Sequence, residues 1–533
     1  MLFLKFLIAM LPIICLIIAL SGLKMPAHKA TSIALVITMF LGIVFWKLNS
    51  VYAVSAVFEG VLNALWPICL VIVAALFTYN LTLRTGAMET IKRMLAGVSS
   101  DKRVLTLIIG WGFGSFMEGM AGFGTAVAIP ASMLAGIGLN PFAAVLSCLV
   151  ANSTPTAFGS VGIPLVTLSS VTGVSSHTLA ASTAMIEVII TFISPFIMVC
   201  IVGGGIKALK GAFTITLVAA LSFIIPWYIT AVVVGAELPN IVGSICCMAC
   251  TVIAAKIFNS KPEAEYSIEN LDKSKESALL VTKEQISASV NQDKEEAISF
   301  EKALQAWCPF ILIFVMLLFT STLFPAINRL IAPIKSVVVV YAGKGGSKLA
   351  FSWINTPGII IFVAAIIGGF VQGAKVSTML EVLLTTLKGN WKTIVTICCV
   401  MAVAKVMGYS GMIADIASFL VVATGRAYPL ISPLIGAVGG FVTGSGTSTC
   451  VLFGGLQAKT AQNLGISPAW MAAANVLGGG LGKMICPQSI AIGASSINKS
   501  GSESKILGSV FKYFLCYVVI AGIICFLGTL FIK

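Results

Sequence analysis

Among the ionisable residues in stretches that otherwise read as membrane interior are Glu118 in GSFMEGMAGFG and Lys483 in GGGLGKMICPQS. A charge at bilayer depth is costly, so an intramembrane acid or base is a functional candidate by default. A carboxylate in apolar surroundings can take and release a proton, which makes Glu118 the proton-coupling candidate. An ammonium group near a broken helix can pair with a carboxylate, and Lys483 is read that way. Uncharged polar residues accompany them: Asn152 and Thr154 in NSTPT, Ser445, Thr447 and Ser448 in TGSGTS, then Asn475, Gln488 and Ser489. Amides and hydroxyls of this kind either meet a solute's hydroxyl and carboxylate or hydrogen-bond helices together. Glu187, in STAMIEVIITF, is read as the partner of a lysine. Lys405, in MAVAKVMGYSG, is read as paired with Glu187 or Asp415.

The elements that must position these groups are unusual for a membrane. Residues 114–164 and 439–495 are apolar yet repeatedly interrupted by Gly and Pro. Exposed polar backbone in hydrocarbon costs several kcal/mol per group, so broken helices survive at depth only where protein buries them or a cavity receives them. The two stretches share an order of features. Each turns at Gly-x-x-Pro (Gly138 to Pro141, Gly465 to Pro468). Each continues into an apolar helix bearing an Asn (Asn152, Asn475), then ends in a Gly-rich break before Pro164 or Pro487. Gly119, Gly122, Gly124, Pro155, Gly162, Pro164, Gly444, Gly446 and Pro487 are the expected hairpin and hinge positions. Paired interrupted segments in corresponding halves point to a secondary transporter's binding site. Freed amides at one helix end attract an anion there, and freed carbonyls at the other attract a cation.

Composition sets the frame. Of 533 residues, 58% are hydrophobic and 10% charged, and apolar runs long enough to span a bilayer recur throughout. An all-α polytopic membrane protein follows. Ten of the 19 acidic residues and six lysines fall in one hydrophilic segment, 259–303, read as a cytoplasmic linker between halves 1–258 and 304–533. The remaining basic residues sit in short loops, as orientation by the positive-inside rule requires. The net charge of +14 is thus a topology signal, and no nucleic acid is expected. The loop at residues 80–103 is placed in the cytoplasm, as is the segment around Lys207 and Lys210. An even number of crossings must separate them, which a re-entrant hairpin satisfies, as would an extra full span. The loop at 328–353 counts as external despite its basic residues, so either the count shifts by one crossing or 331–341 inserts partway. Trp111, Trp353 and Trp391 read as interface anchors. With two histidines and no Walker-type loop, neither a metal centre, a cofactor nor ATP-driven transport is expected.

Four blocks make the reading specific: EGMAGFGTAVAI (118–129), NSTPTAFGSVGIP (152–164), TGSGTS (443–448) and GKMICPQSIAI (482–492). In order and over nearly the whole chain, they resemble the lactate permease family. The resemblance implies a bacterial inner-membrane permease with about 12 to 14 spans, built as two inverted repeats with re-entrant hairpins. It implies proton-driven uptake of L-lactate and related 2-hydroxy monocarboxylates, D-lactate and glycolate among them. The partners are then the monocarboxylate, a proton and the lipid bilayer, with a homodimer as the candidate assembly. One position departs from the family: Gly446 stands where an aspartate is common (TGSD). That departure keeps a sodium-coupled carboxylate symporter as the alternative. An integral-membrane transferase is the alternative from another class, though the scattered single ionisable residues form no catalytic cluster.

Overall fold

The computed structural model describes residues 2–23, 25–122, 124–258, 265–268, 299–321, 323–346, 348–499 and 502–532. Most of the expected linker at 259–303 lies outside the described residues. Among those described, ten helices are long and apolar enough to cross a membrane, or eleven if the bent pair Pro141–Ala151 and Pro155–Thr172 counts as one span. The count is below the implied 12 to 14 because Thr125–Gly136 and Pro357–Val371 are too short to pass a full-span criterion. Several spans are longer than their apolar runs suggest. Ser50–Arg84 and Val376–Ser410 each cover 35 residues.

The first broken stretch folds as a re-entrant hairpin followed by a bent span. A helical arm runs from Lys102 through Met120, turns through Gly122 and Gly124, and returns as Thr125–Gly136. Gly114 faces Ala126 and Pro130 while Gly110 faces Leu134, which fixes the arms as antiparallel. The turn needs φ of +62° at Gly122 and +89° at Gly124, a region that side-chain-bearing residues avoid. Asn140 then caps Pro141–Ala151 by accepting from the amides of Phe142 and Ala143. A 61° bend follows before the chain continues to Thr172.

The second broken stretch repeats this plan. Tyr428–Thr443 and Gly446–Leu464 form the hairpin, with its tip at Gly444 and Ser445. Thr449 packs on Gly439, and Tyr428 donates to Gln457 Oε1 at 2.6 Å, so these arms too are antiparallel. Ser467 caps Pro468–Ile485 as Asn140 caps its counterpart, and Cys486 separates that helix from Pro487–Ser496.

The hairpins enter from opposite ends of the bundle. Gly446 lies against Thr156 and Pro164, and Gly454 lies against Leu168 and Val171, so Gly446–Leu464 runs alongside Gly159–Thr172 in the same direction. Its open end therefore shares the Thr172–Ser176 side. The first hairpin opens on the other side, where Arg103 Nη1 donates to the carbonyls of Ala208 and Lys210, both at 3.0 Å. That end also carries the loop at residues 80–103, which the positive-inside rule assigns to the cytoplasm, whereas the basic loop at 328–353 lies at the other end. Such a hairpin is compatible with the even number of crossings expected between Arg103 and Lys207.

Two expectations are corrected by the fold. The segment at 331–341, one of the two alternatives for the basic loop, does not form a helical insertion. It leads into an exposed antiparallel pair of strands, Lys335–Val339 with Lys348–Ser352. Its β-branched run favours a pleated strand over a helix. Trp111 is not an interface anchor: it is fully buried, its ring 4.7 Å from that of Phe223. Trp353 and Trp391, by contrast, are half exposed.

Candidate functional site

The hairpin tips and the two helix breaks meet around a buried ion pair. Glu118 Oε1 lies 2.7 Å from Lys483 Nζ, across 365 positions of sequence. Glu118 is delivered by Gly114–Met120, one turn before the first tip. Lys483 occupies the last turn of Pro468–Ile485, where the helix dipole favours a cation. Close backbone packing sets its height. A Cβ on Gly440 would overlap Gly479 and lie 3.0 Å from the Lys483 amide nitrogen. Small residues let the helices Tyr428–Thr443 and Pro468–Ile485 approach in this way.

The NSTPT break supplies the remaining partners. With its amide oriented by its neighbours, Asn152 donates to Glu118 Oε2 at 2.9 Å and accepts from Lys483 Nζ at 3.2 Å. Lys483 also donates to Thr156 Oγ1 at 3.4 Å. Asn152 thus bridges the pair, and the ionic groups are not left to apolar walls. A buried charge needs such partners, since an uncompensated one costs several kcal/mol. Ser160 and Val161 follow in left-handed backbone (φ +45° and +56°), and Gly162 continues it at +75°. A β-branched residue there is strained by about 1–3 kcal/mol, and such strain clusters at functional sites. The turn brings Gly159 so near that an added Cβ would lie 2.8 Å from Glu118 Oε1.

A cavity of about 40 Å³ opens onto this pair, lined by Glu118, Gly122, Thr156, Gly159, Ser160, Pro164, Gly444, Ser445, Gly446, Thr447 and Lys483. It has room for a water or two. Ser445 caps Gly446–Leu464 by accepting from the Ser448 amide, and the first turn of that helix, with amides lacking intrahelical acceptors, faces the cavity.

The expected site residues therefore divide. Glu118, Lys483, Asn152, Ser445 and Thr447 come together, with Gly122, Pro164, Gly444 and Gly446 in the cavity wall. Ser448 contributes its amide to the cap. Gln488 packs its Oε1 against Gly444, and Gly124 receives Ile492. Thr154 is buried with no partner for its hydroxyl among the described residues. Asn475 donates to the Thr449 carbonyl at 3.4 Å, which makes it a helix-to-helix bond beside the site. Ser489 is buried in the helix that begins at Pro487, outside the cavity. Gly119 packs against Asn240, and Gly162 against Ala236. The Pro155 carbonyl accepts from Asn240 Nδ2 at 2.7 Å. Thr156, Gly159, Ser160 and Asn240 were not singled out from sequence. The signal for the first three was the dense Gly/Ser/Pro spacing of 156–164.

The other intramembrane ions differ from expectation. Lys405 pairs with neither Glu187 nor Asp415. Its Nζ lies 2.7 Å from Glu59 Oε1, and Tyr409 donates to the same carboxylate at 2.9 and 3.0 Å. Asp415 instead accepts from the Trp46 indole at 2.8 Å. Glu187 is fully buried with no hydrogen-bond or lysine partner among the described residues, so its expected ion pair does not form.

The L-lactate permease family model matches residues 5–532. The chain belongs to the L-lactate permease family. It is 41% identical over 466 residues to an L-lactate permease of Streptococcus iniae, covering 87% of this chain and 93% of the relative. It is 32% identical over 540 residues to the glycolate permease GlcA of Escherichia coli K12, covering 98% and 95%. Among solved structures, the YdaH transporter of Alcanivorax borkumensis superposes with a TM-score of 0.45 at 14% identity, covering 87% of this chain and 85% of that one. The chain is thus a permease and not an enzyme, a multi-pass protein of the bacterial inner membrane.

Proposed function

We propose that this permease takes up L-lactate, and by the same chemistry D-lactate and glycolate, together with a proton. The observation that carries the reading is the buried Glu118–Lys483 pair at the meeting of the two hairpin tips. In the empty site the lysine is neutralised by Glu118. An entering carboxylate takes the lysine, helped by the first-turn amides of Gly446–Leu464 and the hydroxyls of Thr156 and Thr447. Glu118 is then a buried carboxylate without its counter-charge, a state costing several kcal/mol unless it binds a proton. Anion and proton each favour the other's binding, and by linkage the coupling is reciprocal. The pair travels without an added net charge.

The halves 1–258 and 304–533 act in this proposal as inverted repeats whose relative motion alternates access to the pair. The names of the relatives, L-lactate permease and glycolate permease, support a small 2-hydroxy monocarboxylate as cargo. Glu118→Gln tests the coupling. In proteoliposomes it is expected to abolish lactate accumulation under a pH gradient while lactate exchange at equal pH continues. Accumulation at the parental level in Glu118→Gln would remove Glu118 from the mechanism.

A further inference from the structure

A second and larger cavity, of about 250 Å³, lies at the Thr172–Ser176 end of the bundle, opposite Arg103. It forms where Ser176–Val202 and Pro357–Val371 begin and where Phe213–Val233 and Phe300–Thr320 end, so both halves line it. Its polar wall includes His177, Glu237, Thr320, Ser321, Asn328 and Asn355, and the first two are its only titratable members among the described residues. At roughly 20–30 Å³ per non-hydrogen atom, a six-heavy-atom hydroxy acid fits here, whereas the cavity at Glu118 admits only a water or two. We propose that this cavity is an outer binding site for the small monocarboxylate, from which the acid passes to Glu118 and Lys483. In it, His177 and the amide and hydroxyl groups receive the carboxylate. Burial raises the Glu237 carboxyl above the usual carboxylate range, opposed by backbone hydrogen bonds and by the neighbouring His177.

The connection to the centre is a short loop. Ala236, next to Glu237, presses on Gly162 so closely that a Cβ there would overlap the Ala236 backbone. Asn240, three residues on, holds the Pro155 carbonyl and packs on Gly119. An occupant that shifts residues 235–238 thereby acts on the left-handed turn and on the hairpin that carries Glu118. This inference rests on the lactate reading above, and the test separates the two. Saturation binding of labelled L-lactate is measured on the purified full chain, on Lys483→Ala, and on Lys483→Ala with His177→Gln. The expectation is that Lys483→Ala keeps one weaker site and that adding His177→Gln weakens it about tenfold, as for a lost charge-assisted hydrogen bond. If Lys483→Ala binds no lactate while the parent does, the outer site is refuted and the central reading stands. Residual binding that is unchanged by the added His177→Gln refutes the outer site in the same way. If the parent binds none, both readings fall. His177→Gln alone is expected to raise the KM for uptake about tenfold with kcat within twofold, a split that misfolding would not produce.

Discussion

Two lysine–glutamate pairs lie buried in this molecule at the same 2.7 Å separation, and their surroundings differ. Glu118–Lys483 sits where the hairpin tips and helix breaks meet, lines a cavity, and shares its charges with Asn152 and Thr156. Glu59–Lys405 joins two unbroken helical stretches, Ser50–Asn63 and Val376–Ser410. There the backbones nearly touch: a Cβ on Gly60 would overlap Ala402. Tyr409 closes the carboxylate, and the Tyr341 ring stacks on Tyr409 at 3.7 Å. An intramembrane ion pair becomes a candidate for work when broken backbone gives a ligand room to compete for one partner. Without that room it is a fastening.

The largest effect is expected at the first pair. Lys483→Ala should lower lactate uptake at least a hundredfold, measured as initial rate in proteoliposomes, because the anion loses its counter-charge and Glu118 loses its partner. Transport at the parental rate would remove Lys483 from the site. At the second pair, Lys405→Ala should destabilise the protein by about 3–5 kcal/mol, the cost of stranding a buried carboxylate, seen as a lowered Tm in detergent. The double change Glu59→Gln with Lys405→Met should recover most of that Tm and keep uptake within about threefold, since apolar or neutral replacement of a buried pair is often tolerated. Collapse of uptake in a stable double variant would show that the second pair works in transport too. Gly159→Ala puts a methyl against Glu118 Oε1 and should slow uptake roughly tenfold, about 1.4 kcal/mol, with Tm little changed. Tyr409→Phe, which removes one hydrogen bond to the Glu59 carboxylate, should cost about 1.5–3 kcal/mol of stability and leave the KM for lactate unaltered.

Much of the site was legible because membrane physics makes it conspicuous. Glu118 and Lys483 stand out where charge is expensive, and Gly-x-x-Pro announces the turns that Asn140 and Ser467 cap. Their mutual contact was not legible, since the two residues come from different halves and no local spacing encodes the distance. Glu59 is illegible from sequence for a different reason. The continuous apolar run begins at Val61, so Glu59 reads as loop, yet the helix starts at Ser50 and carries Glu59 inside the bundle. Trp111 misled in the opposite sense, because a tryptophan near a span end can pack inward against Phe223 as well as outward to lipid. Glu187 has no partner among the described residues, and nothing in its apolar sequence marked that in advance.

The mechanism stands on proton coupling, and one measurement addresses it: accumulation of labelled L-lactate in proteoliposomes under an imposed pH gradient, with and without sodium, in the parent and in Glu118→Gln. The expected result is uphill accumulation driven by the pH gradient alone, indifferent to sodium, and absent in Glu118→Gln. Accumulation that follows a sodium gradient and ignores pH would contradict it.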